Sequence, residues 1–91
     1  MASEIIELEE GVWTQVTATD KDGSIFHKTG TGKVVYIESD TFPTIYDANV
    51  PIMEQTSQGD TFPYYGVATG DDIYAISLSG SAVITKSPKG V

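Results

Sequence analysis

Apolar residues recur at every second position over much of the chain, in short runs broken by glycine, proline and acidic turns. A period of two predicts strands rather than helices. The clearest case lies near the carboxyl end, where residues 73–78 and 82–85 are rich in β-branched and aromatic side chains and flank Ser79-Gly80-Ser81. Glycine in so short a connection supplies the positive φ of a tight turn, so the pair reads as a hairpin. Alternation then places Tyr74, Ile76 and Leu78 on a dry face and Ser77 and Ser79 on a wet one.

The rest of the chain follows the same rule. In residues 3–11, Ile6 and Leu8 face inward and Glu7 and Glu9 face water. Ser3 could cap a helix there and Gly11 stop it, but strand period is the better fit. Residues 12–18 alternate Val12, Thr14 and Val16 against Trp13, Gln15 and Thr17, with Trp13 expected to plug one end of the core. The Asp20-Lys21-Asp22-Gly23 run is a turn. A third strand over 24–29 contributes Ile25 and Phe26, and Gly30-Thr31-Gly32 ends it. Val34, Val35, Tyr36 and Ile37 are consecutive, which predicts a central strand covered on both sides. Residues 45–66 are the least regular. Pro51 and Pro63 exclude uninterrupted central strands, leaving short edge strands around 51–54 and 64–68. About seven or eight short strands with frequent turns, no repeat and no linker predict a single all-β domain over 1–91, a small antiparallel β-sandwich or barrel.

Composition narrows what such a domain can do. The chain has 91 residues, 13 acids against 5 lysines and no arginine, for a net charge of −8. That balance repels phosphate backbones and lacks the guanidinium fork that reads guanine, so no nucleic-acid partner is expected. No apolar run reaches the roughly 18 residues of a membrane helix, so no membrane partner is expected either. There is no cysteine to brace the fold or to act as a thiolate. The acidic start is unlike a basic leader, which predicts a chain that stays in the cell that makes it unless it leaves within a larger particle.

Candidate chemistry is sparse. Reading Asp20-Lys21-Asp22-Gly23 as a calcium loop would put the first and twelfth ligand positions at Ala18 and Thr29, so a solvated turn is the better reading. Asp71-Asp72 reads the same way. His27 is the sole histidine, too little for a zinc site without cysteine, and it reads as a partly exposed strand residue. Gly30-Thr31-Gly32-Lys33 lacks the spacing of a phosphate loop. No enzyme activity, metal or cofactor is expected. The aromatics stand out more: Tyr36, Phe42, Tyr46, Phe62, Tyr64 and Tyr65 concentrate in the middle, and Thr-Phe-Pro occurs twice, at 41–43 and 61–63. Loop aromatics suit contact surfaces, which makes Phe42, Tyr46, Phe62, Tyr64 and Tyr65 interface candidates; they could equally seal the ends of a small sandwich.

Three stretches together, Gly11-Val12-Trp13-Thr14-Gln15-Val16, Gly32-Lys33-Val34-Val35-Tyr36-Ile37-Glu38-Ser39 followed by Pro43, and Gly70-Asp71-Asp72-Ile73-Tyr74-Ala75-Ile76-Ser77 followed by Gly80-Ser81-Ala82-Val83-Ile84, resemble small β-rich virion structural proteins of tailed bacteriophages. The resemblance implies a capsid decoration, cement or head-tail accessory component, made in the host cytoplasm, with capsid or tail proteins as partners. It also implies a homo-oligomer, a trimer by that analogy, and no catalytic residues. The tyrosine-rich segment 45–66 departs from the pattern and leaves a second class open, a carbohydrate- or receptor-binding module that uses those rings for stacking.

Overall fold

The computed structural model describes residues 4–17, 21–44 and 52–88, which form eight strands and no helix. They are β1 (Glu4–Leu8), β2 (Thr14–Gln15), β3 (Gly23–Thr29), β4 (Val34–Ser39), β5 (Glu54–Thr56), β6 (Thr61–Tyr64), β7 (Asp72–Ser77) and β8 (Ala82–Pro88). The first sheet has the order β1-β8-β3-β6 and the second β2-β7-β4-β5, both antiparallel. The all-β expectation holds. Ile6, Leu8, Ile25, Phe62, Tyr64 and Ile84 of the first sheet meet Val34, Tyr36, Ile73 and Ala75 of the second in one continuous core. Two half-apolar sheets have nowhere else to bury those faces.

Every connection except β4–β5 passes from one sheet to the other. This corrects the expected hairpin: β7 lies between β2 and β4, β8 lies between β1 and β3, and the two do not pair. Residues 78–81 instead form an arch across the sandwich. The expected dry and wet faces hold only in part: Tyr74 and Ile76 are buried as expected, but on the side of the sheet away from the core, and Ser77 and Leu78 exchange places. Ile73, Ala75 and Ser77 point into the core, while Leu78 is 37% exposed. The buried Ser77 hydroxyl is satisfied locally, donating to Gly80 O at 2.5 Å, and Gly80 adopts φ 72° to turn the chain. Two contacts pin the arch from outside: Gly80 N donates to Glu10 Oε1 at 2.8 Å, and Gly11 N donates to Ser77 O at 2.9 Å.

Strand β4 is the interior strand it reads as in sequence, with Val34, Val35, Tyr36 and Ile37 all buried. The irregular middle does form short edge strands, but at β5 (3 residues) and β6 (4 residues) rather than around 51–54 and 64–68, and Pro63 lies within β6 opposite Ser24. Ile6 and Leu8 face inward from β1 with Glu7 outward. At the other end of the first sheet, Gly23 marks a close approach. A Cβ there would lie 2.5 Å from Tyr64 Oη and 2.6 Å from Ser87 O.

The Ser87 carbonyl belongs to a ladder strand and cannot yield without disturbing the β3–β8 pairing. Gly23→Ala therefore costs about 1–3 kcal/mol, the usual penalty of overpacking. Urea unfolding measures it; an unchanged midpoint would mean that β3, β6 and β8 are not so closely packed at this point.

Candidate functional site

The two sheets differ in what covers their outer faces. On the second sheet, side chains of alternate parity to the core, Val35 and Ile37 on β4 and Tyr74 and Ile76 on β7, form a second buried cluster with Trp13. Trp13 therefore covers a sheet face, a correction to its expected place at the end of the core. Phe42, from the segment after β4, stands edge-on to Tyr74 with ring centroids 5.1 Å apart and planes at 72°. Burial pushes the Tyr74 phenol up, and the charges of Asp72 and Asp40 add to the rise.

The outer face of the first sheet is open. Strand register puts Ile5, Thr85, Phe26 and Thr61 in one row across all four strands, with Ile5 62% and Phe26 38% exposed. Ser87, Ser24 and Pro63 form the next row on one side. Glu7, Val83 and Thr29 form the row on the other, where β3 carries a bulge between His27 and Thr29. The charges in these three rows are Glu7 and the exposed Lys28, which the bulge places beside Thr29 opposite Val83, on a chain with 18 charged residues. Threonine, serine and apolar side chains make up most of the three rows.

Between the sheets runs a buried polar chain. His27 on β3 is fully enclosed, a correction to the partly exposed residue expected from sequence, because it shares the inward parity of Ile25. Its Nδ1 lies 3.0 Å from Thr56 Oγ1, which lies 3.0 Å from Tyr36 Oη. Thr56 has one proton to give, so at least one of these bonds is donated to it. His27 Nε2 has no partner among the described residues. The His27 backbone is strapped to the β5–β6 connection, its N–H donating to Asp60 O and its carbonyl accepting from Gly59 N, both at 2.8 Å. The Tyr36 ring tilts against Phe62 with centroids 4.7 Å apart. Burial pushes the Tyr36 phenol up to about 12; the Thr56 hydrogen bond opposes the rise, and the Glu54 and Asp60 charges add to it. An imidazole walled in like this orders the interior and does not meet a substrate.

At the open end of the sandwich, a cleft of about 200 Å³ is lined by Glu4, Gln15, Val16, Thr17 and Lys86. The largely buried Lys86 ammonium lies 3.4 Å from Glu4 Oε1. Asp72 accepts hydrogen bonds from Gln15 Nε2 at 3.2 Å and Thr17 Oγ1 at 3.3 Å, and Thr17 Oγ1 in turn accepts from Ile73 N at 2.9 Å. These groups satisfy one another and tie β2 to β7. The acidic turns are similarly engaged. Asp22 Oδ1 accepts from Gly66 N at 3.0 Å, and a hydrogen bond with Glu38 pushes the Asp71 carboxyl up. Asp20 lies outside the described residues.

Of the interface candidates, Tyr65 is 74% and Phe42 54% exposed, and Tyr46 lies outside the described residues. Phe62 and Tyr64 are corrected: both are buried within the core of a single chain and present nothing to a second one. The exposed apolar side chains of the first sheet's outer face are instead Ile5 and Phe26, which composition did not single out. Their signal was parity, since each sits one position from an inward residue, Ile6 and Ile25. Comparisons add no relative: no protein-family model, curated protein or solved structure matches the chain.

The Tyr36 phenol yields a prediction with a definite sign. A group raised from about 10 unfolded to about 12 folded leaves stability flat below pH 10 and removes about 2–3 kcal/mol as pH climbs past 12. Tyr36→Phe makes that alkaline decline shallower, though Tyr74 still contributes to it, and costs about 1 kcal/mol near neutrality through the lost bond to Thr56. Urea titrations across pH 8–12 measure both; an unchanged alkaline slope would place the sensitivity in other groups.

Proposed function

We propose that this chain is a non-enzymatic structural protein of a tailed-bacteriophage particle, a capsid decoration, cement or head-tail accessory component that works through protein–protein contacts. The observation that carries the contact reading is the open outer face of the first sheet, with the apolar Ile5 and Phe26 exposed and Glu7 and Lys28 as its charges, set against a second sheet whose outer face is already covered. The phage setting rests on the order of sequence motifs alone. From strand spacing and the three rows, the face measures about 400 Å², roughly half the 800 Å² per partner of a standard stable interface. A surface of that size suits a protein that binds in many copies on a lattice, where each contact is weak and repetition supplies the hold. The closed oligomer that the resemblance implies, a trimer, would be built from this face and from Phe42 and Tyr65 rather than from Phe62 and Tyr64.

The carbohydrate-binding alternative loses ground with the same burial. Its stacking platform keeps Tyr65 and Phe42 but not Phe62 or Tyr64. Immunogold labelling of tailed-phage particles that encode the chain tests the reading, together with co-sedimentation of the Phe26→Asp and Ile5→Asp variants after each is shown to fold. The expected result is label on the particle and loss of co-sedimentation in both variants. Absence from particles, or saturable sugar binding that Tyr65→Ala removes, would overturn it.

A further inference from the structure

The sandwich has four edge strands, β1 and β6 on the first sheet and β2 and β5 on the second, and they are not equally protected. Strand β2 has 2 residues and β5 has 3, too short to template a partner. Strand β6 is interrupted by Pro63, which cannot donate to a ladder. Strand β1 has 5 residues, Glu4–Leu8, with no proline, no bulge and an unbroken register against β8. In an antiparallel ladder, alternate residues turn both backbone groups away from the neighbouring strand. On the open side of β1 those groups have no partner among the described residues.

The side chains on this edge are acidic. Glu4, Glu7, Glu9 and Glu10 fall within 7 residues. Glu4 is held by Lys86, and Glu10 accepts from the arch at Gly80. The Glu7 and Glu9 side chains are exposed and make no hydrogen bond or ion pair among the described residues. Charges on an edge usually keep strands from pairing. Here they discriminate between partners. A second copy in two-fold antiparallel pairing centred on Ile6 would set each Glu7 against an Ile5, and centring on Glu7 would oppose like charges directly. A segment with a basic residue opposite Glu7 and an apolar one opposite Ile5 meets neither penalty. The net charge of −8 also steers cationic segments toward the chain.

We infer that the free edge of β1 is a docking site for an extended basic–apolar segment of a partner protein, which adds to the first sheet as a fifth strand beyond β1. Its backbone completes the unpaired row of β1, and alternation divides the labour among its side chains. Outward residues meet Glu7 and Ile5, whereas inward residues continue the row of Ile6 and Leu8. In antiparallel pairing the basic residue precedes the outward apolar residue by two positions. The edge shares Ile5 and Glu7 with the outer face but does not involve Phe26, so the Phe26→Asp test can fail while this one succeeds.

The test uses the full chain, isotope-labelled, titrated with the peptide Thr-Val-Lys-Val-Ile-Val-Thr and with the same peptide carrying Glu in place of Lys. The expected result is shift changes and new amide protection confined to β1 and its neighbour β8, with the Lys peptide binding about fivefold tighter or better, the scale of one exposed charge pair with its repulsive counterpart removed. Glu7→Gln erases that preference and Glu7→Lys reverses it; the exposed Glu7 side chain makes no hydrogen bond or ion pair among the described residues, so neither change threatens the fold. Perturbation at another strand, equal affinity for both peptides, or an unaltered preference in Glu7→Lys would overturn the inference. So would concentration-dependent protection of β1 without peptide, which would mean self-pairing.

Discussion

The organisation of this molecule follows from the need to bury both faces of two adjacent strands. On β4, Val34 and Tyr36 enter the core while Val35 and Ile37 lie on the other side; on β7, Ile73 and Ala75 enter it while Tyr74 and Ile76 do not. A fully buried side chain of this size contributes about 1.5–3 kcal/mol, so neither set can be left in water at this chain length. The second sheet is therefore a middle layer, with the first sheet on one side and Trp13 and Phe42 taking part on the other. The first sheet needs cover on its inner face alone. Among the described residues, its outer face and its β1 edge are what the fold leaves available.

The same constraint shapes the path of the chain. Because β7 must be central in the second sheet, β8 is free to take the interior place between β1 and β3, and the arch at 78–81 carries the chain across. Crossing at nearly every connection makes most contacts non-local, which slows folding relative to a meander of hairpins. The buried polar chain from His27 through Thr56 to Tyr36 then ties β3 of one sheet to β5 and β4 of the other. A satisfied hydrogen bond in that position penalises any slip in register, since a shift by one residue would turn each of these groups to the opposite face.

Much of this was legible in the sequence, and the exceptions are physical. Strand period located β1, β3, β4, β7 and β8 because alternation is a local property. Pairing is not local. A Ser-Gly-Ser connection between two strands serves a hairpin and an arch equally well, and the deciding fact, that β7 is apolar on both faces, showed in Ile73 through Ile76 as an unbroken apolar run. Ser77 looked wet because a hydroxyl was weighed by type, without the Gly80 carbonyl that satisfies it. Phe62 and Tyr64 were mistaken for contact residues because Pro63 masked a short strand; the order Thr61, Phe62, Pro63, Tyr64 alternates exposed and buried. His27 lies within the expected strand 24–29, two residues from Ile25, but the adjacent apolar pair Ile25-Phe26 leaves open which parity faces inward. The two surfaces proposed for docking could not be read from composition. They are defined by what remains uncovered, and that depends on which elements lie against each sheet.

The asymmetry between a sealed and an open sheet face is the centre of this account, and Trp13 reports on it alone because the chain has no other tryptophan. Acrylamide quenching of Trp13 fluorescence in the native chain, with a urea titration alongside, is the most direct test. The account predicts blue-shifted, poorly quenched emission that becomes water-like in the same cooperative transition that melts the sheets. Native emission as red and as readily quenched as that of the unfolded chain would mean that the outer face of the second sheet is open, and the distinction between the two faces would fall.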